Sequence, residues 1–304
     1  MADWSTFAGI VGIVLVLLLA LTHASQSVFR DGSHSATELR QSIEPTDWST
    51  EPRYPTESTD HTTEAGDPPA DTLGDAARPA DGSASADNER PETESRTADR
   101  PFAPGSTREI ELSTPLLLAN VALSQGVFAV LLVTMAWYTE IPARAFGLAA
   151  ESVTLGGVVT GVAVGAGFYV LNEAGAALGR RRGLSTPTGL REALAPETAA
   201  GWTVLLIVVL PIIAGFEELL FRGALIGVVH AGFGVPEWLL VVGSSVAFGL
   251  GHGAQGRLGI IVTGLLGVGL ASVFVLTGSL LVVIVAHYVI NALEFVVHEG
   301  VDRN

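Results

Sequence analysis

Charged and amide side chains lie inside apolar runs of this 304-residue chain, where they are costly. A charged group at the centre of a membrane span costs about 2.5 to 3.5 kcal/mol. Three apolar runs carry such groups, and the last of them is continued by Glu294 and His298 at helical spacing. The candidates are Glu217, Glu218, Arg222, His252, His287 and Asn291. Their retention indicates either a functional site or a structural polar network.

The residue types suit hydrolysis. Glu218 and Arg222 are four residues apart in the acid-first order, so we expect an ion pair along one helix face. Glu217 then has no local partner, and a buried glutamate with a raised proton affinity suits a general base. A histidine can orient water or ligate a metal, and an asparagine can donate to an oxyanion. The alternative, purely structural interpretations are a salt-bridge network, a packed histidine at a helix end and a His/Asn pair that joins two helices.

The elements that must position these groups are membrane helices. About 20 apolar residues cross the hydrocarbon core, and we predict an all-α polytopic bundle of six core helices with one N-terminal anchor, Phe7 to Leu21. The anchor is preferred over a signal peptide because Asp3 precedes it and no Arg does. The predicted core spans are Leu116 to Tyr138, Val153 to Leu178, Thr203 to Val229, Trp238 to Gly253, Leu258 to Thr277 and Ser279 to Val297.

Local signals mark helix starts and helix contacts. Thr114 and Pro115 are expected to cap and open the first core span, and residues 190 to 194 are expected to form a short interfacial turn. Small residues at four-residue spacing should let neighbouring helices approach closely. These residues are Gly157, Gly161 and Gly165 in one span and Gly259, Thr263, Gly267 and Ala271 in another.

Between the anchor and the core lies an acidic segment. The sequence divides into the anchor (1–23), a linker (24–112), the helical core (113–298) and a short tail (299–304). The linker carries 19 of the 31 Asp and Glu residues and is rich in Ser, Thr, Pro and Gly, so we expect it to be disordered. A formal net charge of −15 argues against nucleic acid as a partner. Excess acid without any Lys is also typical of proteins that work at molar salt.

The chain has no Cys, so thiol nucleophiles, disulfides and Cys-ligated metals are excluded. All 16 basic residues are Arg, and their placement predicts an orientation. With the N-terminus outside, the linker and C-terminus are cytoplasmic, only Arg144 lies in an outside loop, and Arg222 lies within a helix. The arginines then placed in the cytoplasm include Arg30, Arg40, Arg100, Arg108, Arg180, Arg181, Arg182, Arg191, Arg257 and Arg303.

Three motifs in order on successive helices resemble the CPBP family, which comprises CAAX prenyl endopeptidases and bacteriocin-processing proteins and is also called the Abi family. The motifs are Glu217-Glu218-x-x-x-Arg222, Phe248-x-x-x-His252 and His287-x-x-x-Asn291. The resemblance covers roughly Ala199 to Val297, and we expect it to include the two preceding spans. The anchor and the linker lie outside it.

The resemblance implies an intramembrane endopeptidase acting on membrane-embedded or membrane-anchored peptides. By position, Glu217 matches the catalytic glutamate and His252 the histidine that helps it activate water. His287 and Asn291 match the residues that stabilise the oxyanion. The remaining motif residues, Glu218, Arg222 and Phe248, match supporting positions. A prenylated substrate is not implied.

Several alternatives stay open. We favour glutamate-activated water with no cofactor, but Glu217, His252 and His287 are also an acceptable ligand set for zinc or another divalent metal. A membrane binding or immunity-type protein could keep this fold without turnover. Such a scaffold would not need Glu217, however, and the presence of this residue argues against it. An ion or proton translocator could use buried Glu, His and Arg. It would need polar residues through the depth of several helices, whereas two of the spans are nearly all apolar.

Overall fold

The computed structural model describes residues 1–42, 113–184 and 188–301, and within these ranges the chain forms helices and connecting turns without strands. The chain divides into two units, Met1–Ser42 with Glu111–Asn304, and Ile43–Ile110. The second unit lies outside the described residues, so most of the predicted linker does as well. The helical bundle lies in the first unit.

Eight helices follow one another in the described part of this unit. They are α1 (Trp4–Ser42), α2 (Thr114–Tyr138), α3 (Leu155–Arg181), α4 (Gly189–Leu194), α5 (Ala199–Phe233), α6 (Glu237–Gly251), α7 (Gly256–Thr277) and α8 (Leu280–Phe295). Six of them, including the apolar part Trp4–His23 of α1, are long and apolar enough to cross a membrane. The predicted all-α polytopic bundle is therefore confirmed.

The helix α6 is shorter than its apolar run. It begins after Pro236 and ends at Gly251, which gives 15 residues, one fewer than the expected span from Trp238 to Gly253. At 1.5 Å per residue this is about 22 Å, less than the hydrocarbon thickness. His252 follows as the C-terminal cap, and a short 3₁₀ turn, Gly253–Gln255, leads into α7.

Other boundaries also move relative to the sequence pattern. The N-cap of α2 is Ser113 rather than Thr114, although Pro115 lies in the first turn as expected. Helix α3, predicted to span Val153 to Leu178, starts at Leu155 because the side chain of Thr154 accepts a hydrogen bond from the Gly157 N–H and caps the helix there. Residues 190–194, expected as a turn, belong to the short helix α4.

The two predicted chain segments outside the core are partly helical. α1 continues through Ser42, so residues 24–42 differ from the expected disordered linker. An established helix propagates readily because each further residue adds one hydrogen bond. At the other end, wide π-helical turns continue α8 over Val296–Val301, so the expected tail begins inside a helix.

Glycines bring α3 against α8, as the small-residue spacing predicted. A Cβ added at Gly161 would lie 2.7 Å from the Val282 carbonyl oxygen, and one added at Gly165 would lie 2.6 Å from the Ala286 carbonyl oxygen. Neither position has space for a side chain. The contact fixes the face of α8 that carries His287, which follows Ala286 directly.

The N-terminal helix, predicted as an anchor, packs onto the bundle. Phe7, Val11 and Val14 are buried in the main hydrophobic core. Trp4 lies against Gly232 at the end of α5, and Leu18 lies 3.5 Å from a Cβ built at Gly251, next to His252. α1 is therefore part of the structure around the motif-bearing helices.

Candidate active site

Glu217 lies near the middle of α5, between two stretches of wide π-helical turns, Leu205–Val209 and Leu219–Val228. Such turns are rare and occur often at functional sites. The residue is 8% exposed, and its Oε2 atom is buried with no hydrogen-bond partner among the described residues. A buried carboxylate oxygen without a partner is costly, and this indicates that it faces a ligand or water.

The ion pair predicted from spacing forms in the core of the bundle. Arg222 Nη1 donates to Glu218 Oε1 at 2.6 Å, and both side chains are essentially fully buried. The Arg222 Nη2 group donates to the Gly267 carbonyl oxygen at 3.2 Å, and its guanidinium carbon lies 4.5 Å from the centre of the Phe248 ring. The pair thus links α5 to α6 and α7.

His287 is held by the same acidic group. Its Nδ1 atom lies 2.7 Å from Glu218 Oε1, and its Nε2 atom lies 3.7 Å from Glu217 Oε2. The carboxylate accepts the Nδ1 proton, so Glu218 orients the imidazole and turns Nε2 toward Glu217. One glutamate therefore positions both the arginine and the histidine.

His252 approaches Glu217 from the end of α6. Its Nδ1 atom lies 2.8 Å from the Phe248 carbonyl oxygen, which can only accept, so Nδ1 carries the proton. When the ring is neutral, its Nε2 atom presents a lone pair, and this atom lies 4.0 Å from Glu217 Oε2. The ring packs against Phe248 at 4.7 Å between centroids, and a quarter of the side chain remains exposed.

Asn291 is the predicted site residue with the least support from contacts. It lies one helical turn after His287 on α8 and is half-buried. Its side chain makes no hydrogen bond to any other residue in the described ranges. The polar stripe that it shares with His287 continues to Glu294 and His298, but those two side chains turn to α3 and form contacts of their own.

Glu217 Oε2 is separated from both imidazole nitrogens by distances that a bridging water can span. The distances of 3.7 and 4.0 Å from Glu217 Oε2 to the two imidazole nitrogens are longer than direct hydrogen bonds. Separations of this size between polar atoms are those at which a bridging water fits. A carboxylate and two imidazole nitrogens that face one small space can hold and deprotonate water.

The same three residues suit a metal by type but less well by spacing. Zinc takes carboxylate and imidazole ligands at about 2.0 to 2.2 Å, which requires all ligand atoms to be close together. In the described residues one group has all its potential ligand atoms within 4.8 Å of one another, and it is not this one. Glu217, His252 and His287 would have to move closer together to hold a metal.

Two features of the site had no signal in the sequence that identified them. Gly267 was expected only to provide close helix packing, yet its carbonyl oxygen accepts a hydrogen bond from Arg222. The N-terminal helix was expected to be an anchor, yet Leu18 reaches the residue before His252. Backbone acceptors and contacts between distant segments leave no periodic pattern in the sequence.

Comparison with known proteins identifies the segment that carries these residues. Residues 199–293 match the family model described as Type II CAAX prenyl endopeptidase Rce1-like. This confirms the resemblance drawn from the motifs, and all the predicted site residues lie inside the matched segment. The comparisons with curated proteins and with solved structures gave no match.

Proposed function

We propose that this integral membrane protein, with a CAAX-type protease segment at residues 199–293, is an intramembrane endopeptidase that uses a glutamate-activated water. Its substrates would be membrane-embedded or membrane-anchored peptides, including lipid-modified ones. The supporting observation is the Oε2 atom of Glu217, which is buried without a hydrogen-bond partner in the described part of the chain and faces the Nε2 atoms of His252 and His287.

Water activation follows from the protonation states. The Nε2 lone pair of His252 accepts one hydrogen of the water, and Glu217 Oε2 accepts the other. Proton transfer to Glu217 leaves a hydroxide that attacks the carbonyl carbon of the scissile peptide bond. A general base of this kind contributes about 10² to 10⁴ to the rate.

His287 suits the opposite role, because it can be charged. With Nδ1–H donating to Glu218, the neutral ring has no proton on Nε2, and only the imidazolium can donate there. In the proposed mechanism His287 acts as an imidazolium, whose charge together with that of Arg222 balances the charges of Glu217 and Glu218. His287 Nε2–H then donates to the tetrahedral oxyanion, with Asn291 as a second donor from the next turn.

Collapse of the intermediate completes the reaction. Glu217 returns its proton to the amide nitrogen, the C–N bond breaks, and the products are a carboxylate and an amine. If a divalent metal binds instead, Glu217, His252 and His287 would hold it, and it would supply a Lewis acid and an acidified water. The orientation with linker and C-terminus in the cytoplasm completes the proposal, and the arginine distribution supports it.

The proposal is tested by cleavage of a membrane-peptide library by the purified protein in ¹⁸O-labelled water. The wild type should release peptides with one ¹⁸O in each new carboxyl group. Glu217→Gln should lower turnover by about 10² to 10⁴, whereas Glu151→Gln, which changes an exposed glutamate, should not. Undiminished cleavage by Glu217→Gln would remove this residue from the mechanism. No cleavage by the wild type would favour the binding or immunity-type alternative.

A further inference from the structure

A second cluster of polar groups lies where α3 and α8 run side by side. Glu173 from α3 and Glu294 and His298 from α8 bring their potential ligand atoms within 4.8 Å of one another, and we call them the α3–α8 cluster. His298 Nε2 lies 3.0 Å from Glu173 Oε1 and 3.7 Å from Glu294 Oε2. Glu294 lies seven residues beyond His287, about 10 Å along the helix.

Neighbouring side chains form hydrogen bonds with the cluster but do not neutralise its negative charge. Asn172 Nδ2 donates to Glu294 Oε1 at 2.6 Å, and Arg191 donates to Glu294 Oε2 at 3.2 Å and to Glu299 Oε1 at 2.9 Å. Three carboxylates and one guanidinium, with His298 neutral, leave a net charge of −2 on these groups. All of these side chains are at least two-thirds buried.

We propose that the α3–α8 cluster binds a divalent transition-metal cation of the zinc type. Two carboxylates and an imidazole are a ligand set for such ions, and the imidazole disfavours Ca²⁺ and Mg²⁺, which prefer oxygen ligands. Ligands at about 2.0 to 2.2 Å in tetrahedral geometry lie roughly 3.3 to 3.6 Å apart. The separations of 3.0 and 3.7 Å in the cluster bracket that range, and a charge of +2 cancels the excess.

The neighbouring groups fit the outer shell of such a site. Asn172 and Arg191 each donate to a carboxylate oxygen of Glu294 and fix its orientation, as second-shell partners do. Arg191 is held in turn by Glu299, which is 7% exposed. The ion would join α3 to α8, the two helices whose glycine contact positions His287, so its role would be structural.

This site is separate from the proposed hydrolytic site, so metal content alone would not identify a metalloprotease. The proposal does not depend on the proposed activity. Its test must therefore count bound metal and assign it to one of the two sites.

The test uses full-length protein in detergent, stripped with a chelator, loaded with Zn²⁺, desalted and assayed for metal by mass spectrometry. We expect one zinc per chain in the wild type and in Glu217→Gln, and none in Glu173→Gln or His298→Gln. Glu197→Gln, which changes an exposed glutamate, is the matched control and should keep the ion. Thermal unfolding in the chelator establishes that each variant is folded.

Stability gives a second readout. With free zinc at about 100 times Kd, the ratio of folded to unfolded wild-type protein should rise about 100-fold, and this rise should be absent in His298→Gln. X-ray absorption of zinc-loaded wild type should show one imidazole with oxygen neighbours. Absence of zinc from the wild type, its retention in both ligand variants, or an environment with two imidazoles, as at His252 and His287, would each overturn the proposal.

Discussion

Glu218 is the residue on which the site geometry depends most, although Glu217 is the proposed base. A single oxygen, Oε1, accepts from Arg222 at 2.6 Å and from His287 at 2.7 Å, and the residue has no exposed surface. Removal of one partner from a buried charged group leaves the other uncompensated in a medium of low dielectric constant. Glu218 therefore determines the direction in which His287 presents its Nε2 atom to Glu217.

Glu218→Ala and Arg222→Ala should each lower the free energy of unfolding by about 3 to 5 kcal/mol. The double substitution should cost less than the sum, because it leaves no unpaired charge, with a coupling of about 0.5 to 3 kcal/mol. Chemical or thermal unfolding of all four proteins in one detergent measures this cycle. Strictly additive losses would contradict the pairing seen in the structure.

At the scale of elements, the short helix α6 brings His252 to the depth of Glu217. From Glu217 to the end of α5 at Phe233 there are 16 residues, and α6 returns through 15 residues from the following turn. Both paths are about 22 to 24 Å long, so the end of α6 meets the middle of α5. A helix of full spanning length would have carried His252 past the glutamate.

His287 approaches Glu217 from α8, and the contact between α3 and α8 positions that helix. Glycines in α3 make this close contact possible. Gly165→Ala should destabilise the protein by about 1 to 3 kcal/mol, because its new Cβ would lie 2.6 Å from the Ala286 carbonyl oxygen. Gly175→Ala is the control on the same helix, since no atom lies within 4 Å of its Cβ position. There, helix propensity predicts an unchanged or slightly higher stability.

Thermal unfolding compares the two variants, and cleavage activity provides a second measurement. Gly165→Ala should lose activity because α8 moves away from α5 and carries His287 with it. Equal stability of the Gly165 and Gly175 variants would show that α8 adapts without cost.

At the scale of the whole molecule, the N-terminal helix packs into the main hydrophobic core, although it lies outside the segment that matches the protease family model. Phe7 is fully buried and packs edge-on against Phe146 at 5.6 Å, whereas Ile13 on the same helix is 61% exposed. Phe7→Ala should therefore lower stability by roughly 3 kcal/mol, as expected for a cavity left by an aromatic ring. Ile13→Ala, the matched control, should change it little.

Thermal unfolding in detergent measures the effect of both substitutions. The role of the linker is tested separately with a variant that lacks residues 43–110. We expect the segment to act only as a tether, so this deletion should leave cleavage of a small peptide intact. Equal effects of the Phe7 and Ile13 substitutions would mean that α1 does not pack as the structure shows.

Orientation is a property of the whole molecule and can be tested because the chain has no native Cys. Single Cys residues at the exposed positions Arg182, Glu197 and Glu151 provide labels at both predicted faces. In oriented vesicles an impermeant thiol reagent should modify the first two from the cytoplasmic side and Glu151→Cys from outside. The reverse pattern would invert the proposed topology.

Local patterns in the sequence determined much of this protein. The Glu218–Arg222 pair depends on i,i+4 spacing, the spans on runs of apolar residues, and the contact of Gly161 and Gly165 with α8 on small residues in one helix face. Each of these features belongs to one segment, whose backbone geometry alone places the side chains. The order of the motifs was likewise sufficient to indicate the protease family.

Only the tertiary structure decided which distant groups meet. His287 donates to a glutamate 69 residues away, Leu18 reaches Gly251, and Glu173 meets His298 across 125 residues. No periodicity encodes such contacts, because they depend on how whole helices pack and on where each ends. The approach of His252 to Glu217 is the clearest case: the apolar run already placed His252 at a helix end, but only the packing of α6 beside α5 brings the histidine to the glutamate.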